Sequence, residues 1–272
     1  MHSTTATLPS RSSLDAPSWP LRRTQSLAWP LGRCSCCDAT EWGEPWQLGT
    51  PAFWVHQAQE FSHGTGRHRL GESLREEVAV CILGGYGVPG AVGNAAFIAL
   101  RDAGMFDPEL GEDAAVSGMT RVLALPLQVG PRRMRYRFHQ QRPRRLAAAL
   151  TALSSWERAA DDLDDIALRD QLMRLPGVGP KTASWVVRNY RDSDNIAIID
   201  IHIHRAGLAA GVFCADWTLP RDYSRFEEAF LAWAALGRVS AADLDAAIWR
   251  LLSTLGRLGQ ATMVAGPSTG AR

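Results

Sequence analysis

The segment LPGVGPKTASWVV, residues 175–187, holds a glycine-rich turn between two helical stretches. Pro176 lacks the N–H that a continuing helix needs, and Gly177 and Gly179 favour positive φ, so the turn ends the preceding helix. Pro180 suits the first turn of a new helix, where a missing donor costs nothing. The segment therefore predicts two helices joined by a tight turn.

This turn is followed by Lys181, the only lysine in 272 residues; the other 28 of the 29 basic side chains are arginine. A general preference for arginine explains why lysines are lost, but not why this one is kept. Arginine stays protonated and is a poor nucleophile, whereas lysine can act as a primary amine. Lys181 is therefore a candidate for chemistry that arginine cannot perform.

Helical periodicity dominates the chain from about residue 50, and alternating strand patterns are nearly absent. Thr50 before Pro51 predicts a helix start, and Ser73 followed by Glu76 has the spacing of a capping box. Besides the helix that follows the turn, we predict helices over residues 50–61, 73–85, 89–104, 142–156, 162–175, 224–237 and 240–256, of which 162–175 precedes the turn. The fold class is mainly α.

Composition excludes few functions. The formal net charge of +1 neither indicates nor excludes nucleic acid, and no apolar run approaches the roughly 18 residues of a membrane helix. The spacing of the five cysteines is not that of a disulfide framework. The CSCC segment has no His or Cys partner at metal-ligand spacing nearby, so plain thiols are the expected state and a metal site is the alternative. We expect a cytoplasmic protein without a secretory signal.

We predict three parts along the chain: a largely disordered N-terminal arm at 1–48, one α-helical domain at 49–257 and a flexible tail at 258–272. Four tryptophans are unusual for a disordered arm, so part of it is expected to dock on the domain: Trp19, Trp29, Trp42 and Trp46.

The turn is also suited to holding a phosphate. Outward-facing N–H groups at Gly177 and Gly179, with the positive end of the next helix, would contact a sugar-phosphate backbone without reading sequence. Val178 and Thr182 belong to the same candidate site. Its spacing resembles the helix-hairpin-helix DNA-binding element, here at about 170–190; the alternative is an interhelical turn that binds nothing.

Asp200 lies nineteen residues after Lys181, within NIAIIDIHIHRAG at 195–207. It follows an apolar stretch, and we predict that it caps a new helix, where a carboxylate accepts hydrogen bonds from free N–H groups. For an isolated aspartate, a simple helix cap would be the whole explanation. Its separation of nineteen residues from Lys181 also allows a functional explanation.

The pair resembles the lysine-bearing, bifunctional branch of the helix-hairpin-helix DNA glycosylases, over roughly 70–255. The segments KTASWVVRN, AIIDIHI, LDAAIW and MRYRFHQQRPRRL are similar to blocks of the compact archaeal-type 8-oxoguanine DNA glycosylases. The resemblance implies two helical lobes with the active site in the cleft between them. It also implies that Lys181 is the nucleophile and that the carboxylate of Asp200 stabilises positive charge on the sugar.

The resemblance implies further site residues. His202 would contact a DNA phosphate, Asp245 would accept a hydrogen bond from the extruded base, and Trp249 would stack on it. Trp185 could line the pocket or belong to the core. For each of the others, ordinary helix packing is the alternative.

A basic segment, GPRRMRYRFHQQRPRR at 130–145, has seven arginines and no acid. It offers phosphate contacts that would make binding salt-sensitive, unless it is a solvated face offset by the acidic DDLDD at 161–165. Tyr136 and Phe138 could instead be core residues.

The chain departs from the family in two ways. Some compact members contact the lesion through a C-terminal lysine, which this chain lacks, so recognition would fall to another group such as Arg257 or the backbone. The four-cysteine cluster of the iron–sulfur branch is missing as well.

The resemblance therefore predicts a monomeric, nucleoid-associated glycosylase and AP lyase of base excision repair, acting on double-stranded DNA with an oxidised purine, most simply 8-oxoguanine. It implies no organic cofactor and no catalytic metal, with a monovalent cation possible at the hairpin. The rivals are a glycosylase for another modified or alkylated base and a hairpin module that binds DNA without chemistry.

Overall fold

The computed structural model describes residues 26–27, 40–62, 69–85 and 87–255. Its helices are α1 (Pro51–Ser62), α2 (Leu74–Leu83), α3 (Gly90–Asp102), α4 (Glu112–Ala124), α5 (Gln141–Ser154), α6 (Asp165–Leu172), α7 (Pro180–Arg191), α8 (Ile201–Ala209), α9 (Tyr223–Gly237) and α10 (Ala241–Thr254), with a 3-10 helix at Glu157–Asp162. Its strands form two antiparallel pairs, β1 (Ser26–Leu27) with β2 (Thr40–Glu41) and β3 (Leu127–Val129) with β4 (Arg132–Met134). The mainly α prediction is confirmed.

Local capping explains where several helices begin. The N–H of Phe53 donates to Thr50 Oγ1 over 3.2 Å, and the N–H of Glu76 donates to Ser73 Oγ over 3.2 Å, as the sequence predicts. Helix α6 begins later than predicted, because Asp164 caps it by accepting from the N–H of Ala167 over 2.7 Å.

The sequence analysis did not predict helix α4 or the β3–β4 hairpin. Helix α4 has Glu112 and Asp113 in its first turn and Arg121 in its last, a charge order that favours a helix. The β3–β4 hairpin turns at Gly130, where φ is 55°. Its three-residue strands are too short to show alternation, so the pattern gave no signal.

The core is divided into two hydrophobic clusters. The first is formed by the middle of the chain, from Leu74 on α2 to Ile196 after α7. The second unites Trp42 and α1 with the later segment from Ala197 to Leu252. Helix α1 packs on α10, so the first and last of the described helices both belong to the second cluster, and the helices between them include those of the first.

Polar contacts connect the two clusters. On α9, which packs in the second cluster, Glu227 accepts from Arg169 of α6 and from Ser184 of α7, the latter over 3.4 Å. It also accepts from the N–H of Ala197 over 3.0 Å. Burial raises the pKa of the Glu227 carboxyl, and these donors oppose the shift.

The N-terminal arm is described only in part. Trp42 is buried in the second cluster, and its carbonyl accepts from the N–H of Ala52 over 2.9 Å, as expected for a docked segment. Trp46 is 72% exposed. Trp19, Trp29, Arg257 and the tail at 258–272 lie outside the described residues.

Cys81 is buried and has a free thiol, whereas Cys214 is disulfide-bonded. The spacing of the five cysteines in the sequence gave no sign of this pairing. Within the described ranges, no helix has both the length and the apolar character needed to span a membrane.

Candidate active site

The hairpin turn joins α6 to α7 as predicted. Gly177 has φ of 78°, a value that L side chains rarely adopt, and an added Cβ would lie 3.2 Å from Cδ of Arg145. Gly179 differs from the expectation, because its backbone is extended at φ −99° and ψ 179°. Only Gly177 therefore requires glycine for its conformation; Gly179 is the N-cap of α7 and leaves the space around it open.

The first turn of α7 is not capped by a side chain. The N–H of Val178 donates to the carbonyl of Leu175 over 3.1 Å, and the N–H of Ala183 donates to that of Gly179 over 2.9 Å. Helix geometry gives the N–H groups of Lys181 and Thr182 no acceptor within the helix. These two donors remain for an external anion, whereas the Val178 side chain is buried in the first cluster.

Lys181 lies in this first turn and is half-buried. Its Nζ is 5.7 Å from the centroid of the Trp185 ring, one helical turn further along. That ring packs against Gly84 at the end of α2, where an added Cβ would lie 3.0 Å from Cη2. Trp185 is thus half-buried between core and site, and it borders the lysine.

Asp200 caps α8, as its sequence context predicts. Its Oδ1 accepts from the N–H groups of His202 over 2.7 Å and Ile203 over 2.9 Å. The half-buried ring of His202 keeps a buried Nδ1 without a hydrogen-bond partner. Capping fixes the carboxylate at the start of α8, which packs in the second cluster, whereas Lys181 lies on α7, which packs in the first.

Asp245 is buried on α10 and pairs with Arg188 of α7, whose Nη2 donates to Oδ2 over 2.7 Å. Burial raises the pKa of Asp245 to about 6, Arg188 and Lys181 lower it, and the negative charge of Asp200 raises it. The predicted residues Lys181 and Asp200 therefore both act on the charge of Asp245. Arg188 was not predicted, because nothing local in the sequence marks its partner 57 residues away.

Trp249 is one turn after Asp245 and is 47% exposed. It lies beside the start of α3, where a Cβ added to Gly90 would be 3.9 Å from Cη2. Its ring is open to solvent on a face next to the α2–α3 loop, which also borders Trp185 through Gly84. The sequence did not point to this glycine-rich loop as a wall of the site.

A second buried polar group lies behind the lysine. Glu77 of α2 accepts from the N–H of Gly71 over 2.8 Å and from Nδ2 of Asn189 over 2.7 Å. Burial raises its pKa, and these donors lower it. The buried Cys81 thiol senses the charges of Glu77, Arg188 and Lys181, so this network reaches the active-site face of α7.

The basic segment divides into core and surface. Tyr136 is buried, and its hydroxyl donates to the carbonyl of Leu83 over 2.6 Å. Arg142 donates to the carbonyl of Ile82, so it is not a free surface charge. The exposed arginines of the segment are Arg132, Arg133, Arg135, Arg137, Arg144 and Arg145. Through Arg145, which packs on Gly177, this surface is continuous with the hairpin turn.

A helical hairpin whose second helix has no side-chain cap and carries a lysine in its first turn is the arrangement of a helix-hairpin-helix element. Comparison with known proteins agrees: residues 115–237 match the Ogg-HhH family model, described as 8-oxoguanine DNA glycosylase. No curated protein matches the chain.

Solved structures with similar folds include the 8-oxoguanine glycosylase/lyase of Methanocaldococcus jannaschii in complex with 15mer DNA containing 8-oxoguanine. It is 18% identical, with a TM-score of 0.52, covering 76% of this chain and 90% of that one. A non-covalent endonuclease III–DNA complex is 16% identical, with a TM-score of 0.51, covering 72% and 81%. A trapped endonuclease III–DNA covalent intermediate is 15% identical, with a TM-score of 0.50, covering 72% and 82%.

At these identities the likeness concerns the fold, and the family match covers the segment from α4 to the end of α9. The chain therefore has the fold of the helix-hairpin-helix DNA glycosylases, and residues 115–237, a little under half of it, match the Ogg-type model.

Proposed function

We propose that the protein is a bifunctional DNA glycosylase and AP lyase that removes an oxidised purine, 8-oxoguanine, from double-stranded DNA. One observation carries the proposal: the only lysine of the chain, Lys181, begins the hairpin helix and shares an electrostatic site with Asp200 and Asp245. A structural or DNA-holding role at this position would accept arginine, which the chain uses everywhere else.

In the proposed reaction, Nζ of Lys181 attacks C1′ of the damaged nucleotide. The C1′–N bond breaks, and the base leaves with its electron pair and takes up a proton. As C1′ gains positive charge, the carboxylate of Asp200 on the facing helix stabilises it. The sugar ring opens to an imine with the lysine, and loss of a C2′ proton then expels the 3′ phosphate.

The DNA would lie along the hairpin and the arginine surface. The free N–H groups at the start of α7 suit a phosphate, and the exposed arginines from Arg132 to Arg145 extend the positive surface away from the site. His202 would add a further phosphate contact. The proposed reaction needs no organic cofactor or catalytic metal, and a monovalent cation at the turn remains part of the proposal.

The substrate is tested with the purified full-length protein on duplexes that each contain one lesion: 8-oxoguanine, thymine glycol, a ring-alkylated purine or none. We expect base release and 3′ strand cleavage on the 8-oxoguanine duplex, at least about tenfold faster than on the others, since one recognised polar edge is worth about 1–3 kcal/mol. Faster release of another base would contradict the assignment of 8-oxoguanine as the substrate. Binding without release on every duplex would leave a non-catalytic DNA-binding module.

A further inference from the structure

A surface cleft lies between the 3-10 helix and α6, outside the candidate active site. It has a volume of about 430 Å³, and most of its walls are apolar, formed by Trp156, Ala159, Leu163 and Ala167. Trp156 is half-buried, so its ring packs on the first cluster and still borders the cleft. Asp170 and Gln171 add polar groups at the edge. A cleft of this size and lining suits an aromatic anchor.

The surface around this cleft is acidic. Over residues 156–174, six carboxylates outnumber three arginines, and four of the aspartates are exposed: Asp161, Asp162, Asp164 and Asp170. Such a surface repels a phosphate backbone, so it does not extend the arginine surface along which the DNA would lie. Charge complementarity instead favours a cationic occupant that carries an apolar anchor.

The N-terminal arm contains a segment with this chemistry. The sequence SWPLRRTQSLAWPLGR, residues 18–33, has two copies of Trp-Pro-Leu-x-Arg, at 19–23 and 29–33, and its three arginines are not offset by any acid. Strand β1 lies between the two copies and pairs with β2, directly before Trp42, which is buried in the second cluster. Because the segment is tethered to the domain, its effective concentration at the cleft is high.

The attachment of the arm lies within reach of the cleft. Trp42 accepts a hydrogen bond from the start of α1, and Trp233 of α9 donates to the same helix start. Six residues earlier on α9, about 9 Å along the helix, Glu227 accepts from Arg169 of α6. Trp19 lies seven residues before β1, so an extended chain carries it up to about 25 Å from that strand.

We propose that the cleft binds the first copy, residues 18–23 of the same chain, with the ring of Trp19 beside Trp156 and with Arg22 and Arg23 facing the aspartates. The first copy has two arginines, whereas the second has one. The second copy also lies in the connection between β1 and β2, which ties both of its ends to that strand pair, whereas the first precedes β1. This docking is independent of the proposed glycosylase reaction.

Photo-crosslinking in the full-length protein tests the docking. Trp19 is replaced by p-benzoylphenylalanine, a photo-reactive aromatic residue, and peptide mapping locates the adduct. We expect the adduct within residues 156–174 of the same chain. Its yield should fall about threefold or more between about 0.05 M and about 0.5 M salt, because salt screens the exposed carboxylates and arginines. An adduct between two chains, an adduct elsewhere on the domain, or no adduct would overturn the inference.

A second substitution in the same protein blocks the cleft. Ala159→Arg adds a long cationic side chain at an exposed position of the wall, so the yield should fall about fivefold or more. Ala152→Arg, at an exposed position of α5 that does not line the cleft, is the matched control and should leave the yield unchanged. The photo-reactive residue at position 29 instead of 19 should give a lower yield in the cleft. Equal yields from the two positions, or capture that persists in Ala159→Arg, would contradict the docking of the first copy.

Discussion

At the scale of single residues, burial gives the site its electrostatic character. Asp245 is surrounded by protein, yet its charge has one direct partner, Arg188. The free-energy cost of removing the carboxylate from water exceeds what the arginine returns, so the pKa of Asp245 rises to about 6.

This shift predicts a pH dependence of stability. Between about pH 4 and pH 6 the native state holds a proton on Asp245 that the unfolded chain has lost, so the free energy of unfolding decreases as pH rises through this window. In urea unfolding measured from pH 4 to 7, Asp245→Asn should show a smaller decrease than wild type. Glu77 and Glu227, whose pKa values are also raised, remain in both proteins and cancel in the comparison. Identical slopes would contradict the shift.

The sequence predicted single residues correctly where their role depends on neighbouring residues in the chain. The caps at Thr50, Ser73 and Asp200 follow from a polar side chain next to free N–H groups, and the structure confirms each. Arg188 could not be identified in this way, because its partner is set by the packing of α7 on the second cluster. The same holds for Asn189 and Glu77, which are 112 residues apart.

At the scale of elements, the hairpin depends on two glycines with different roles. Gly177 has positive φ and little space beside Arg145, whereas Gly179 is extended with no heavy atom near a potential Cβ. The sequence alone does not distinguish the two glycines. The backbone dihedral angles show that only Gly177 has a conformation that requires glycine.

A matched pair of substitutions tests this difference. Gly177→Ala should lower the free energy of unfolding by about 1–2 kcal/mol, because alanine is strained at positive φ. Gly179→Ala should change it by less than about 0.5 kcal/mol, yet weaken DNA binding by placing a methyl group where a phosphate would approach. Thermal unfolding and DNA titration measure the two effects. Equal stability losses would contradict the assigned roles.

At the scale of the whole molecule, the sequence predicted helices better than their assembly. Periodicity located six helices beyond the two of the hairpin, because the helical spacing of apolar residues is a local signal. It did not reveal that α1 joins the last helices in the second cluster, because that contact spans most of the chain. Nor did a formal net charge of +1 reveal the basic surface, which is formed by the six exposed arginines of the segment 130–145.

The two clusters explain how distant residues form one site. Helix α7 faces the first cluster with its apolar side and contacts helices of the second through Ser184 and Arg188. Asp200 and Asp245 lie on helices of the second cluster. The site is thus built across their junction, so its geometry depends on how the clusters hold together.

The most direct test of the account uses the fact that Lys181 is the only lysine. Borohydride reduction during turnover of an 8-oxoguanine duplex should yield a covalent protein–DNA adduct, and peptide mapping should locate it at Lys181. Lys181→Arg should form no adduct. The double variant Lys181→Arg, Arg174→Lys restores one lysine in the exposed turn after α6, and it should form no adduct either. Efficient trapping in either variant, or an adduct at another amine of the wild type, would contradict the central claim that Lys181 is the nucleophile.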